Sequence, residues 1–154
     1  MPITSQQPPP YPSANRPDLS LAMLFRAMTP SDDGLPLVAH SGRALGVRPH
    51  TDIKLDAEGR VLPGCGGMSV APWSMWNVPH HRRPCGMGRG STGPQADLLF
   101  SLASQSVSTV GLVVRPDPSR PAKHAFVEPP VAMELSSYET RLGSTRADWR
   151  QVWP

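Results

Sequence analysis

The sequence predicts an α+β domain of short antiparallel strands with few helices, and three observations lead there. Twenty prolines and thirteen glycines punctuate the 154 residues; an interior proline costs roughly 3 kcal/mol of helix, so a helical bundle is excluded. Leu, Ile, Val and Phe make up about a fifth of the chain, the edge of the disordered class, yet the formal charge of +3 adds little self-repulsion. A folded chain of this length buries roughly 68–70% of its unfolded surface, enough for one core.

Residues 1–18 hold six prolines and almost nothing apolar, and read as a disordered leader; residues 19–154 are then the single folded domain. In the first element Leu19, Leu21, Met23 and Phe25 alternate with Ser20, Ala22, Leu24 and Arg26. That is a strand ended by Pro30, with Arg26 on the face opposite the Leu/Met/Phe row. Leu35–His40 is a short extended piece. Ile53–Leu55 and Arg60–Leu62 are two strands around a turn at Asp56-Ala57-Glu58-Gly59. Residues 63–94 carry six glycines between Gly64 and Gly90 and read as a long loop, functional or disordered. Leu98–Ala103 suits one or two helical turns, and Val107–Val114 is the most strand-like run, stopped by Pro116 and Pro118. His124–Glu128 is a strand closed by Pro129-Pro130. The last element is a C-terminal helix: Ser136-x-x-Glu139 forms a capping box, and Tyr138, Leu142 and Trp149 share a face.

Other classes are excluded by the same reading. The longest apolar stretch, Val110–Val114, is far below the ~18 residues of a membrane span. No positive residue precedes Arg16, and Leu21–Phe25 is too short for a signal-peptide core. Cys65 and Cys85 make no disulfide framework and point to a reducing, cytosolic setting. The pI of 9.3 rests on 13 Arg against 2 Lys, a bias that suits phosphate and carboxylate recognition but also follows from GC-rich codon use.

Four groups of residues could carry chemistry. Cys65, His80, His81 and Cys85 are zinc-type ligands, but isolated cysteines and adjacent histidines lack the paired spacing of a metal site, and none is expected. His80-His81-Arg82-Arg83, with Trp73 and Trp76 upstream, can stack bases and neutralise phosphates. It is equally a solvated loop with both tryptophans tucked onto the core. Gly66-Gly67-Met68-Ser69-Val70 permits close backbone approach ahead of a serine, or is a glycine turn entering a strand. His124, Phe126 and Glu128 alternate onto one strand face, where an imidazole and a carboxylate flank an aromatic ring. Such a trio can do acid–base work or grip a ribose and a nicotinamide; a solvent-facing strand end is the plainer alternative. No Ser–His–Asp elbow, phosphate loop, HExxH or dinucleotide fingerprint is present.

Taken in order, three of these patches resemble a known family: small type VI secretion effector toxins with an ADP-ribosyltransferase-like fold. Leu24-Phe25-Arg26-Ala27 resembles the family's first-strand leucine–aromatic–arginine–alanine, and Gly66-Gly67-Met68-Ser69-Val70 its Gly-Gly-Thr-Ser-Val segment. His124, Pro129, Met133 and Leu142 keep the order of a family histidine, proline, methionine and leucine. The resemblance implies a compact ADP-ribosyltransferase-like fold, with small twisted sheets around a cleft that holds NAD. It implies NAD-dependent transfer of ADP-ribose to a cytosolic target, or NAD hydrolysis, and a cognate immunity protein that plugs the cleft. Arg26 would grip NAD phosphate or ribose, Gly67 would line the cofactor site, and Ser69, a candidate catalytic residue with His124 and Glu128, would support the nicotinamide ribose or the scaffold of the pocket. Phe126 or Trp73 would stack on the nicotinamide ring. His124 corresponds to a functional family histidine. Met68 replaces the family's threonine, and the Gln-x-Glu or Glu-x-Glu pair of arginine-modifying transferases is missing. Strand-face geometry makes Glu128 the candidate catalytic acid. The rival reading is a non-enzymatic binding module whose Arg/Trp loop engages RNA or a protein partner.

Overall fold

The computed structural model describes residues 18–154, so the proline-rich leader lies, Asp18 apart, outside the described residues. The strands are β1 (Met23–Met28), β2 (Ile53–Leu55), β3 (Arg60–Gly66), β4 (Met68–Pro72), β5 (Leu98–Ala103), β6 (Val113–Pro116), β7 (Ala125–Glu128), β8 (Met133–Glu134) and β9 (Arg150–Trp153). Two helices, α1 (Ser104–Thr109) and α2 (Leu135–Gly143), accompany them. The architecture is α+β: a six-stranded antiparallel sheet ordered β6-β7-β4-β1-β5-β9 and a three-stranded one ordered β2-β3-β8. No helix among the described residues is long and apolar enough to cross a membrane.

β1 is a strand as expected, and the row that carries Leu24, Arg26 and Met28 is the buried one. Leu24 and Met28 are buried in the main core beside Phe100, Val127, Tyr138 and Trp149, whereas Leu21 is 86% and Met23 43% exposed. Both rows hold large apolar side chains, so alternation alone does not say which faces inward; pairing with strands on both sides does. Phe25 and Ala27 look the other way, onto a smaller cluster with Ala71, Val78, Met87 and Leu99 beneath the 73–97 segment.

Two elements are reversed relative to the sequence reading. Leu98–Ala103 is not helical but β5, in register with β1 along its whole length (Met23↔Ala103 to Met28↔Leu98) and paired with β9 on its other edge. Leu99, Phe100 and Leu102 are buried on both faces, and such a run carries no period that separates strand from helix. Val107–Val114 is not one strand. Its first part lies in α1, where Val107 drops into the core, and Gly111 (φ 76°) turns the chain so that β6 starts at Val113. β5 and β6 run the same way at separate positions of the sheet, and the short helix lies in the crossover between them.

The β2–β3 hairpin forms where the sequence puts it. Asp56 Oδ1 accepts from the amides of Glu58 and Arg60 (2.9 Å each) to shape the turn. Leu35–His40 is irregular, joined only by isolated bridges such as Val38↔Leu45. The expected loop 63–94 instead gives the end of β3 and all of β4, so the glycine segment is a turn entering a strand. The Ser136/Glu139 capping box does not form. The helix begins at Leu135 with Glu134 at the cap and no side-chain bond, and Glu139 bonds His40 at 2.8 Å. Tyr138 and Leu142 do face the core, but Trp149 reaches it from beyond the helix, and β9 follows.

One feature of the large sheet positions everything that follows. β1 and β4 pair only at Leu24↔Pro72 and Phe25↔Ala71. The rest of β4 pairs on its other edge, Met68↔Val127 to Val70↔Ala125. The sheet is therefore split between Arg26–Met28 and Met68–Val70. Gly67 lets β4 come close to β7 at this point: a Cβ there would lie 2.2 Å from the Val127 carbonyl oxygen. Gly67→Ala must push two paired strands apart, which costs about 1–3 kcal/mol of overpacking. A thermal melt should fall by roughly 2–4 °C for each kcal/mol. An unchanged melt would contradict this packing.

Candidate functional site

A cavity of about 260 Å3 occupies the split, walled by Phe25, Arg26 and Ala27 from β1 and by Ser69, Val70 and Ala71 from β4. This is just under the ~300 Å3 at which small-ligand sites begin. Arg26 reaches across it. Its Nη1 donates to the Ser69 carbonyl at 2.7 Å, Nε and Nη2 donate to the Ala44 carbonyl at 3.1 and 2.9 Å, and Nη2 also donates to the Ser41 carbonyl at 3.4 Å. The side chain thus ties the 41–44 loop to β4 where the strand ladder is absent. Burial pulls the Arg26 pKa down to about 10, with Asp52 opposing and Arg82 and Arg48 adding to the fall. The group stays charged at neutral pH.

Three further arginines line the cavity. Arg48 is paired with Asp52, Nη2 to Oδ1 at 2.8 Å and Nε to Oδ2 at 3.1 Å. Burial pushes the Asp52 carboxyl up, but these bonds and the Arg48 amide more than offset it and hold it below its ordinary value. Asp52 is the one carboxylate among the described residues lining the cavity. Arg82 lies over Gly42, where a Cβ would stand 2.9 Å from Arg82 Nη2 and 3.5 Å from Arg48 Nη2, so this glycine leaves room for two guanidinium groups. Arg120 stands near Asp117, 3.9 Å from its Oδ2, with its side chain 56% exposed. Four arginines against one carboxylate make a wall suited to an anion.

His124 lines the same cavity. Its Nδ1 bonds Asp117 Oδ2 at 2.8 Å. An ionised carboxylate only accepts, so the proton sits on Nδ1 and the lone pair on Nε2. Asp117 is fixed in turn by the amide and hydroxyl of Ser119, at 2.9 and 2.8 Å. Burial lowers the His124 pKa, against the opposing Asp117 bond, so the ring is neutral at pH 7. For Asp117, burial raises the pKa but bonds from Ser119 and His124 prevail, and it stays ionised. This is an oriented base. The sequence reading missed Asp117, although the Pro116↔Ala125 pairing, extended by one residue, sets Asp117 opposite His124.

Of the predicted residues, Arg26, Ser69 and His124 converge on this cavity, although their positions span almost a hundred residues. Glu128, Phe126 and Gly67 do not line it. Glu128 shares the strand face of His124 as expected, but four residues along a strand is about 13 Å. There it is buried, taking Arg115 Nε at 2.8 Å and the Gly64 amide at 3.1 Å. Its role here is a structural ion pair. Phe126 is packed between the His124 ring edge (centroids 4.8 Å apart) and Arg115 (5.4 Å). Gly67 serves the β4–β7 approach. Trp73 and Trp76 are not tucked onto the core but about half exposed. Cys65 and Cys85 are free thiols, and among the described residues no group of three or more His, Cys, Asp or Glu is placed to hold a metal.

Two outcomes follow. Arg26→Lys keeps the charge but not the planar fork, leaving buried carbonyls without donors at about 1–3 kcal/mol each. Denaturant unfolding should show that loss, so inactivity of an Arg26 variant reports folding as well as binding. His124, with its folded pKa below 6.5, contributes stability that is fully present above pH 6.5 and lost as pH falls through the lowered value. Unfolding measured between pH 7.5 and 5, titration ends of about this range bracketing the unfolded value, should show a decline that His124→Gln flattens. Comparison with protein-family models, with curated proteins and with solved structures finds no match to this chain.

Proposed function

We propose that the chain is an NAD-dependent ADP-ribosyltransferase-like toxin that acts on a macromolecular target in the cytosol and arrests growth. With water as the acceptor the same chemistry is NAD hydrolysis. The observation that carries this reading is convergence: Arg26, Ser69 and His124, singled out by a sequence resemblance, line one arginine-walled cavity in a split sheet. The residues present fit the ligand. A dinucleotide brings a diphosphate with two negative charges, and among the described residues the Arg82 side chain makes no hydrogen bond while the Arg120 side chain makes only a long contact with Asp117.

NAD supplies a glycosidic bond whose cleavage leaves positive character on the ribose carbon and releases nicotinamide. Arg82 and Arg120 hold the phosphates. Arg26, its donors occupied by carbonyls, contributes field and shape rather than a phosphate grip. Nε2 of His124 takes the proton of an attacking hydroxyl, and Asp117 stabilises the imidazolium that results. Asp52 is the carboxylate on the cavity wall, already paired with Arg48. An immunity protein that covers this mouth in the producing cell belongs to the same reading.

The test is NAD consumption by purified protein with and without cell lysate. Loss of one charged hydrogen-bonding group is worth about 1.5–3 kcal/mol, so Arg82→Ala and Arg120→Ala should each lower kcat/KM by roughly ten- to a hundredfold. His124→Gln should lower kcat by about 10²–10⁴. Gly42→Ala crowds the flexible end of Arg82 and touches that of Arg48, and should weaken NAD binding with little change in melting temperature. Growth arrest that persists without NAD consumption or adduct formation would sink the enzymatic reading.

A further inference from the structure

A second cavity, about 300 Å3, adjoins the first, and the two share Val78, Pro79, Arg120 and His124. His124 therefore borders both. The second cavity carries Arg83, Arg120, Lys123 and His80, and no carboxylate among the described residues lines it. Its other wall is Trp76, 48% exposed. Arg83 lies 5.3 Å over this indole and is locked there by donating to the Val78 carbonyl at 2.8 Å and the Trp76 carbonyl at 2.6 Å. Gly88 packs so closely on the ring that a Cβ would come within 2.8 Å of it. The indole and guanidinium form a cation–π stack held in place, with about half of the indole still exposed beside Arg120 and Lys123.

We propose that this second cavity is the acceptor subsite and takes one nucleotide of a single-stranded nucleic acid, its base on the Trp76–Arg83 platform and its phosphate against Lys123 and Arg120. A cationic pocket alone suits any polyanion, an acidic peptide included. A preformed stack of indole and guanidinium adds something a carboxylate chain cannot use, and every base can. The ring is held in place before binding, so little order is lost on contact. The acceptor role rests on the NAD reading; the binding does not. In that role the bond from nicotinamide nitrogen to ribose C1′ breaks and nicotinamide leaves with the electron pair. An acceptor hydroxyl oxygen forms the new bond to C1′, and its proton passes to His124 Nε2.

The experiment is fluorescence anisotropy of a short labelled oligouridylate with the full chain, without NAD, over a range of salt. Polyglutamate of similar charge serves as the competitor. Saturable binding with quenching of tryptophan emission is expected, and polyglutamate should compete poorly. Trp76→Ala should weaken binding about tenfold, whereas Trp73→Ala, outside both cavities, should not. Lys123 is exposed and its side chain makes no hydrogen bond among the described residues, so Lys123→Gln keeps the fold and should lower the salt slope by about 0.7. Absence of binding, equal competition by polyglutamate, or a Lys123→Gln slope identical to wild type overturns the proposal. Oligonucleotide binding in a protein that never consumes NAD supports the cavity and refutes only the NAD reading. NAD consumption without oligonucleotide binding refutes the cavity alone.

Discussion

The Arg26 guanidinium stands where the ladder between β1 and β4 stops, and it replaces backbone hydrogen bonds with side-chain ones. A buried cation with no carboxylate in contact is expensive, and the depressed pKa near 10 records that expense. Four bonds to the carbonyls of Ser69, Ala44 and Ser41 offset it, since hydrogen bonds to a charged group are worth about 1.5–3 kcal/mol each. The carbonyls gain as well. Ser69 O faces a gap instead of a neighbouring strand, and the 41–44 loop has no strand of its own to join. One side chain thus satisfies both edges of an opening and keeps it open.

The rest of the site depends on that opening. It makes a hollow inside a sheet that would otherwise be continuous, and the loop it ties down carries Gly42, over which Arg82 and Arg48 lie. On the other side, the β6–β7 hairpin ends by setting Asp117 against His124. Positive charge and a neutral, oriented imidazole therefore meet at one cavity, built from three stretches of chain that have little contact in sequence. The same imidazole borders the tryptophan-walled hollow next door. A group at that junction can serve two ligands at once.

Some of this was legible in the residues and some was not. The hairpin at 56–59, the strand at 125–128 and the glycine entry into β4 follow from local chemistry that nothing distant overrules. β5 does not, because Leu98–Ala103 is apolar on both faces and its state is decided by β1 and β9. Alternation correctly put His124, Phe126 and Glu128 on one face, but a face is not a place: distance along the strand carried Glu128 to Arg115 and Gly64 instead. Arg26 was visible as a polar residue in an apolar strand, yet its partners are loop carbonyls with no sequence signature. Arg48, Arg82, Arg120 and Gly42 form a wall only through tertiary folding, so no spacing rule finds them.

On this reading the split held open by Arg26 is an anion site for a dinucleotide. A crystal structure of the chain with ADP-ribose tests it most directly. The diphosphate should lie in the gap between residues 26–28 and 68–70, within hydrogen-bond reach of Arg82 and Arg120, with the Arg26-to-Ser69 bond intact. A structure in which β1 and β4 pair along their full length, or in which the diphosphate lies outside this gap, would contradict it.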